Sequence, residues 1–313
     1  MKKSVCLVAL CAAFPVNAQT LDPFDSLYVF GDSLSDSGNL AIASPEFVPN
    51  PPYPNGQFTN GDTWATQLGL TPSLAGGTNF AFGGARATDN SPADAIPDLL
   101  SQIAAFTATG GARGAAPLAV IWAGGNDFLD FAQIADPTDQ DVGDLISGVS
   151  GSINTGVQQL VASGVSDVVL VGQPSFGILP QFSNDPVGAA QATGASVLLN
   201  SAIEGTAAAL NGALPGADVS FFDLDTILAE VLAGLPADTA QVSCLEALAE
   251  CTANPENFLF FDDIHPVEGV HSILADAFAD AVIQPVPIPA SGMLILTGLA
   301  GLGLWGRRRK SLA

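Results

Sequence analysis

Positive charge is almost missing from the body of this 313-residue chain. Of its eight basic residues only Arg86 and Arg113 lie away from the two ends. Set against 31 carboxylates, they leave residues 19–287 with a net charge of −29. Such a surface repels phosphate backbones and anionic membranes, so nucleic acid is a poor partner, and the charge itself favours solubility. Histidine is scarcer still, with His265 and His271 the two in the chain. Cysteines number four, at positions 6, 11, 244 and 251. Residues 24–283 contain no repeat and no linker long enough to split them. A hydrophobic content of 48% excludes a disordered chain, and the length suffices for one large domain with a sizeable core.

The basic residues gather where export signals are read. Lys2 and Lys3 precede an apolar run, Val5 to Phe14, and the small-x-small site Val16-Asn17-Ala18. That is the pattern of a signal peptide over residues 1–18, with the mature chain starting at Gln19. A lipoprotein cysteine at Cys11 is the alternative, disfavoured by the bulk of Leu10 before it. Cleavage removes Cys6 and Cys11. Cys244 and Cys251 then remain as an even pair in an oxidising compartment, which reads as a disulfide closing a short loop, with two free thiols as the alternative. At the other end a proline-rich lead, Pro285 to Ala290, runs into Ile288–Gly306, 19 residues without a charge, and then Arg307-Arg308-Arg309-Lys310. The run matches the thickness of a hydrocarbon core, and the basic end would stay cytoplasmic. This three-part order over residues 285–313 resembles the PEP-CTERM family of bacterial sorting signals. The resemblance implies recognition by an exosortase in a Gram-negative host, transient inner-membrane anchoring and a final place at the cell surface or in the matrix. An ordinary tail anchor is the alternative.

Between the ends, short apolar runs alternate with helical stretches. Leu27–Phe30, Leu118–Trp122, Val168–Val171 and Val219–Phe222 read as buried strands. Ile96–Phe106, Val142–Ala162, Val187–Leu210 and Val267–Ile283 read as helices, the last with Pro266 suited to its first turn. The alternation predicts an α/β fold with a parallel sheet covered on both faces and a site at the carboxyl ends of its strands. The segment from Ser44 to Asn60 reads as a long loop and a wall of that site.

Four short blocks carry the chemistry. Gly31-Asp32-Ser33-Leu34 follows the first strand, so Ser33 sits on a turn that Gly31 permits. Alone, that block fits a turn or cap as readily as a nucleophile. Asn79-Phe80-Ala81-Phe82-Gly83-Gly84 ends in paired glycines that let backbone approach a ligand. Gly124-Gly125-Asn126-Asp127 follows the second strand and offers an amide. Asp262-Asp263-Ile264-His265-Pro266 places an Asp three residues before a His, where it can accept the imidazole Nδ1–H.

These blocks, in this order over residues 24–283, resemble the SGNH/GDSL hydrolase family. The resemblance implies a flavodoxin-like three-layer α/β/α fold and hydrolysis of carboxylic esters without a metal or other cofactor. It makes Ser33 the nucleophile, His265 the base and Asp262 its partner. Ser33 and Gly84 supply backbone oxyanion donors and Asn126 a side-chain donor, with Gly84 chosen over Gly83 by its spacing from Asn79. His271 reads as structural. Asp263 reads as pointing away, with a role swapped with Asp262 as the alternative. Asp32 and Asp36 read as turn residues rather than metal ligands. Tyr53, Phe58 and Trp64 fit an acyl pocket or ordinary packing equally. The substrate is either a lipid or acyl ester or an acetylated polysaccharide. An acyltransferase using the same acyl-enzyme and a non-catalytic surface protein on a hydrolase fold are the competing functions.

Overall fold

Four apolar runs bounded by glycine, tryptophan or aspartate form the strands of one parallel sheet: β1 (Ser26–Gly31), β2 (Pro117–Trp122), β3 (Asp167–Val171) and β4 (Asp218–Phe222), in the order β1-β2-β3-β4. Each is within two residues of its expected bounds. The computed structural model describes residues 23–283 apart from 49, 90–95, 237, 238 and 240. The expected leader and the C-terminal span therefore lie outside the described residues. Among the described residues no helix is long and apolar enough to cross a membrane.

A fifth lane flanks β1. Val29 N donates to Thr78 O (3.2 Å), Phe80 N to Val29 O (2.7 Å) and Phe82 N to Gly31 O (3.1 Å), so residues 78–82 run parallel to β1 on the side away from β2. After β1 the chain therefore steps to one side, then returns across β1 to β2. The lane order is that of the flavodoxin-like fold, and the reversal opens a crevice at the carboxyl ends of β1 and β2.

Helices cover both faces. Leu99–Ala108, Asp139–Ala162 and Pro186–Ala213 pack side by side on one face, where Phe106 meets Tyr28 and Phe30 of β1. On the other, Trp64–Gln67 and Leu224–Gly234 pack against Glu268–Phe278, and Trp64 meets Trp122 while Phe278 meets Phe222. The core between these layers is continuous.

Several helix bounds differ from expectation for reasons the caps make plain. The second long helix begins at Asp139, three residues early, because Thr138 and Asp141 form a reciprocal capping box. The third begins at Pro186, after Asp185 accepts from Gly188 N. The first starts only at Leu99, since Pro97 and Asp98 precede it. Pro266 is not in the first turn of the last helix. Val267 is the N-cap, and Pro266 instead bridges to Phe260. That α-helix ends at Phe278, and a π-helical turn, Ala279–Ile283, completes the stretch.

Candidate active site

Ser33 stands just past β1 because the backbone there can only be glycine. Gly31 has φ +149°, and a Cβ on it would lie 2.0 Å from Trp122 O of the neighbouring strand. Gln102, buried on the Leu99–Ala108 helix, brackets this glycine: Gly31 N donates to its Oε1 (2.9 Å) and its Nε2 donates to Gly31 O (2.8 Å). The turn then winds around Asp32, whose carbonyl accepts from Ser35 and Asp36 N and whose Oδ1 accepts from Leu34 N. Ser33 N–H has no acceptor among the described residues.

Asp36 ties the first block to the second. Its oxygens accept four backbone N–H groups, from Gly38, Asn39, Leu40 and Gly83. Gly83 N–H is thus committed, whereas Gly84, at φ +80°, leaves its N–H without an acceptor among the described residues. The third block is clamped to the second just beyond. Asn126 Nδ2 donates to Ala85 O (2.8 Å), and its other amide hydrogen has no acceptor among the described residues. Asp127 accepts from Ala87 N (2.7 Å) and Thr88 N (3.0 Å), and Arg86 pairs with Asp130 at the surface.

The fourth block folds on itself. Asp262 Oδ1 accepts from Ile264 N (2.9 Å) and His265 N (2.7 Å), and its Oδ2 lies 2.7 Å from His265 Nδ1. His265 Nε2 lies 2.7 Å from Ser33 Oγ, across 232 positions of sequence. With the proton on Nδ1 donated to Asp262, Nε2 is the acceptor for the Ser33 hydroxyl. Asp263 is exposed and takes no part. Behind this turn, Cys244 and Cys251 form a disulfide, and Cys244 N and Leu245 N donate to Phe260 O and Phe261 O, the residues that lead into Asp262.

The electrostatics divide the carboxylates. Burial alone would raise Asp262, but the His265 charge and the hydrogen bonds from His265 and Ile264 outweigh it and hold the carboxyl at about 2. Asp32 goes the other way. Burial pushes it up to about 7 against the Leu34 N–H that favours its charged form. His271 lies fully buried on the last helix, with no partner for either ring nitrogen among the described residues, and burial pulls it down to about 3.

A cavity opens beside Ser33, with Asp32, Asn126 and Gln173 at its polar edge and a largely apolar wall that includes Leu34, Trp122, Leu129, Phe176 and Leu228. None of the three open aromatic candidates lines it. Trp64 is core, its Nε1 donating to Ser35 Oγ (3.1 Å). Phe58 packs on the His265 ring at 5.1 Å, and Tyr53 Oη donates to Asp262 Oδ2 at 2.9 Å. Sequence patterning does not reach Tyr53, because its partner is 209 residues away. Gln102 does carry a signal: an amide on the apolar face of a helix implies a buried partner.

The family described as GDSL-like lipase/acylhydrolase has a model that matches residues 27–278. The phosphatidylcholine-sterol acyltransferase of Aeromonas hydrophila is 26% identical, covering 89% of this chain and 96% of its own. A GDSL esterase/lipase of Arabidopsis thaliana is 28% identical over 86% of this chain and 92% of its own. Among solved structures, an acetylxylan esterase from Geobacillus stearothermophilus is similar at 16% identity and a TM-score of 0.44, covering 83% of this chain and 94% of that one.

Proposed function

The chain belongs to the GDSL-like lipase/acylhydrolase family and is a carboxylic ester hydrolase; from that premise we propose that it cleaves esters of apolar acids through an acyl-enzyme on Ser33. The observation that carries this reading is the pair of 2.7 Å contacts from Ser33 Oγ to His265 Nε2 and from His265 Nδ1 to Asp262 Oδ2. Ser33 Oγ attacks the ester carbonyl carbon while its proton passes to Nε2, since a serine hydroxyl is a poor nucleophile until a base takes that proton. Asp262, ionised down to about pH 2, stabilises the imidazolium that forms. The tetrahedral oxyanion is received by the N–H groups of Ser33 and Gly84 and the other amide hydrogen of Asn126, each worth about 3 kcal/mol in the transition state. The imidazolium returns the proton to the departing alkoxide. Water, deprotonated by His265, then attacks the acyl carbon, and Ser33 leaves with a proton from the same nitrogen. The apolar wall beside Ser33 supports an acyl chain there rather than a sugar ring. A second reading, transfer of the acyl group to an alcohol instead of water, is favoured by the extent of similarity to the Aeromonas hydrophila acyltransferase.

The test is direct. Ser33→Ala should abolish hydrolysis with the fold intact, and a fluorophosphonate probe should label the wild type at Ser33 alone. Labelling elsewhere, or undiminished turnover in the variant, refutes the assignment. A panel of acetyl, butyryl and octanoyl esters, assayed with and without an added alcohol, separates acetyl esterase, acyl esterase and acyltransferase.

Export and sorting are further proposals that rest on the sequence of the two ends. The signal pattern of residues 1–18 and the tail of 285–313, similar to PEP-CTERM signals, support delivery across the inner membrane, cutting by an exosortase and a surface or matrix location. Intact-mass analysis of the exported protein from its native host should find Arg307–Lys310 gone. Their presence would leave a tail-anchored enzyme.

A further inference from the structure

The segment from Ser44 to Asn60 reaches the Asp–His pair from outside all four sequence blocks, through two aromatic residues. Asp262 Oδ2 is shared by two donors, His265 Nδ1 at 2.7 Å and Tyr53 Oη at 2.9 Å. The Tyr53 ring is fixed for this bond, held 5.4 Å from the Phe58 ring and 5.8 Å, edge-on, from the Phe261 ring. Phe58 in turn packs against the imidazole of His265. Both halves of the pair are therefore braced by one loop, and Tyr53 is absent from the wall of the cavity where an acyl chain would lie.

We propose that Tyr53 is a positioning residue of the esterase site, a second donor on Asp262 that orients the carboxylate and tempers its pull on the imidazolium of His265. The inference rests on the reading of Ser33, His265 and Asp262 given above and deepens it. A hydrogen bond to a carboxylate stabilises its charge and draws off part of the field that the imidazolium would otherwise feel. Without the hydroxyl, Asp262 bears more fully on His265, which then holds its proton to higher pH. The other titratable groups facing the imidazole are Asp32 from the turn after β1 and His271 from the last helix; Asp263 faces Tyr53 from the same turn as Asp262. Each of them is present in every variant, so a comparison of variants reads the change at the phenol.

Tyr53→Phe keeps the ring contacts and removes the hydroxyl. Its acid-limb midpoint in a kcat/KM profile should move alkaline by roughly half a pH unit. The chain has two tyrosines, Tyr28 and Tyr53, so 3-fluorotyrosine in a Tyr28→Phe background places a stronger donor at position 53 alone. Relative to Tyr28→Phe with ordinary tyrosine, that protein should shift the other way. Failure of either shift, including a slower enzyme whose midpoint does not move, overturns the proposal and makes Tyr53 a packing residue. Fluorophosphonate labelling separates the two levels of failure. A wild type that is inactive and unlabelled at Ser33 overturns both readings, whereas a labelled, active enzyme with unmoved midpoints overturns this one alone.

Discussion

His271 and Asp32 are buried ionisable groups that are displaced from their ordinary values by the same cause and act on stability in opposite directions. Burial takes His271 from 6.5 to about 3. The unfolded chain therefore takes up a proton below about pH 6.5 that the fold refuses, and stability falls as pH drops through that window, by at most about 1.4 kcal/mol per unit. Asp32 rises from 3.8 to about 7. There the fold keeps a proton that the unfolded chain releases, so stability falls as pH rises across that range. His271→Leu removes an imidazole with no partner and should leave most of the hydrolytic rate. Its stability advantage over the wild type, read from denaturant midpoints, should widen between pH 7.5 and pH 4.5. An equal gap at both pH values would mean that His271 is not held neutral by burial. At this scale the sequence is legible where a residue's partner is local. Asp262 meets His265 three positions on, and Gly31 precedes Ser33 on the turn it permits. Tyr53 is not, because its role depends on a loop crossing to a turn from the far end of the chain. Nor is the division between Gly83 and Gly84 wholly local, since it turns on Asp36 accepting from Gly83 and not from Gly84.

β1, β2 and β3 are the most legible elements, because a parallel strand covered on both faces is apolar at nearly every position; β4, expected as a buried strand, is instead at the edge of the sheet, with Asp218 and Ser220 exposed. The lane at 78–82 escapes that reading. It pairs with β1 on one side and through Asn79 with Thr71–Ser73 on the other, and it ends in the paired glycines, so its apolar stretch is too short to stand out. Helix interiors follow from periodicity and helix ends from caps. The helix Leu224–Gly234 is not among the helices expected from the sequence, although its start follows the second rule. It follows Asp223, whose carboxylate accepts from Thr226 N, and that Asp-x-x-Thr pattern precedes an apolar face with Leu224 and Leu228 buried. The loop from Ser44 to Asn60 offers no period at all. Its conformation is set by what it covers, with Thr59 Oγ1 donating to Pro266 O and Asn60 Oδ1 accepting from Glu268 N. The expectation that this segment walls the site is not met: none of its described residues lines the cavity beside Ser33, and it packs instead against Asp262 and His265. The disulfide loop has the same character: Cys244 and Cys251 are readable as a pair, while their place behind the Asp262 turn comes only from the fold.

Taken whole, the molecule concentrates like charge. Two arginines stand against 31 carboxylates between residues 19 and 287, and Arg86 uses its charge on Asp130, where the pair is partly exposed. An isolated surface pair of that kind adds little to stability. A few carboxylates, Asp36 and Asp127 among them, are buried and fully engaged by backbone N–H groups. Most of the others face water and one another, and their repulsion grows as the chain compacts. Salt should relieve it. The screening length falls from about 30 Å at 0.01 M to about 10 Å at 0.1 M and shorter still above that, so that each surface carboxylate comes to feel only its nearest neighbours. If the repulsion destabilises the fold by about 2 kcal/mol, screening should raise Tm by roughly 4–8 °C for a domain of this size. Melts in sodium chloride from about 0.01 M to 0.5 M, at constant pH, measure this. Sucrose, which acts by exclusion and carries no charge, serves as the control. A Tm that rises with sucrose but not with salt would show that the carboxylates are spaced widely enough for water alone to separate them. A steep rise at low salt that levels off is the course expected for screened self-repulsion. It would make ionic strength a determinant of how much of this enzyme is folded where it works.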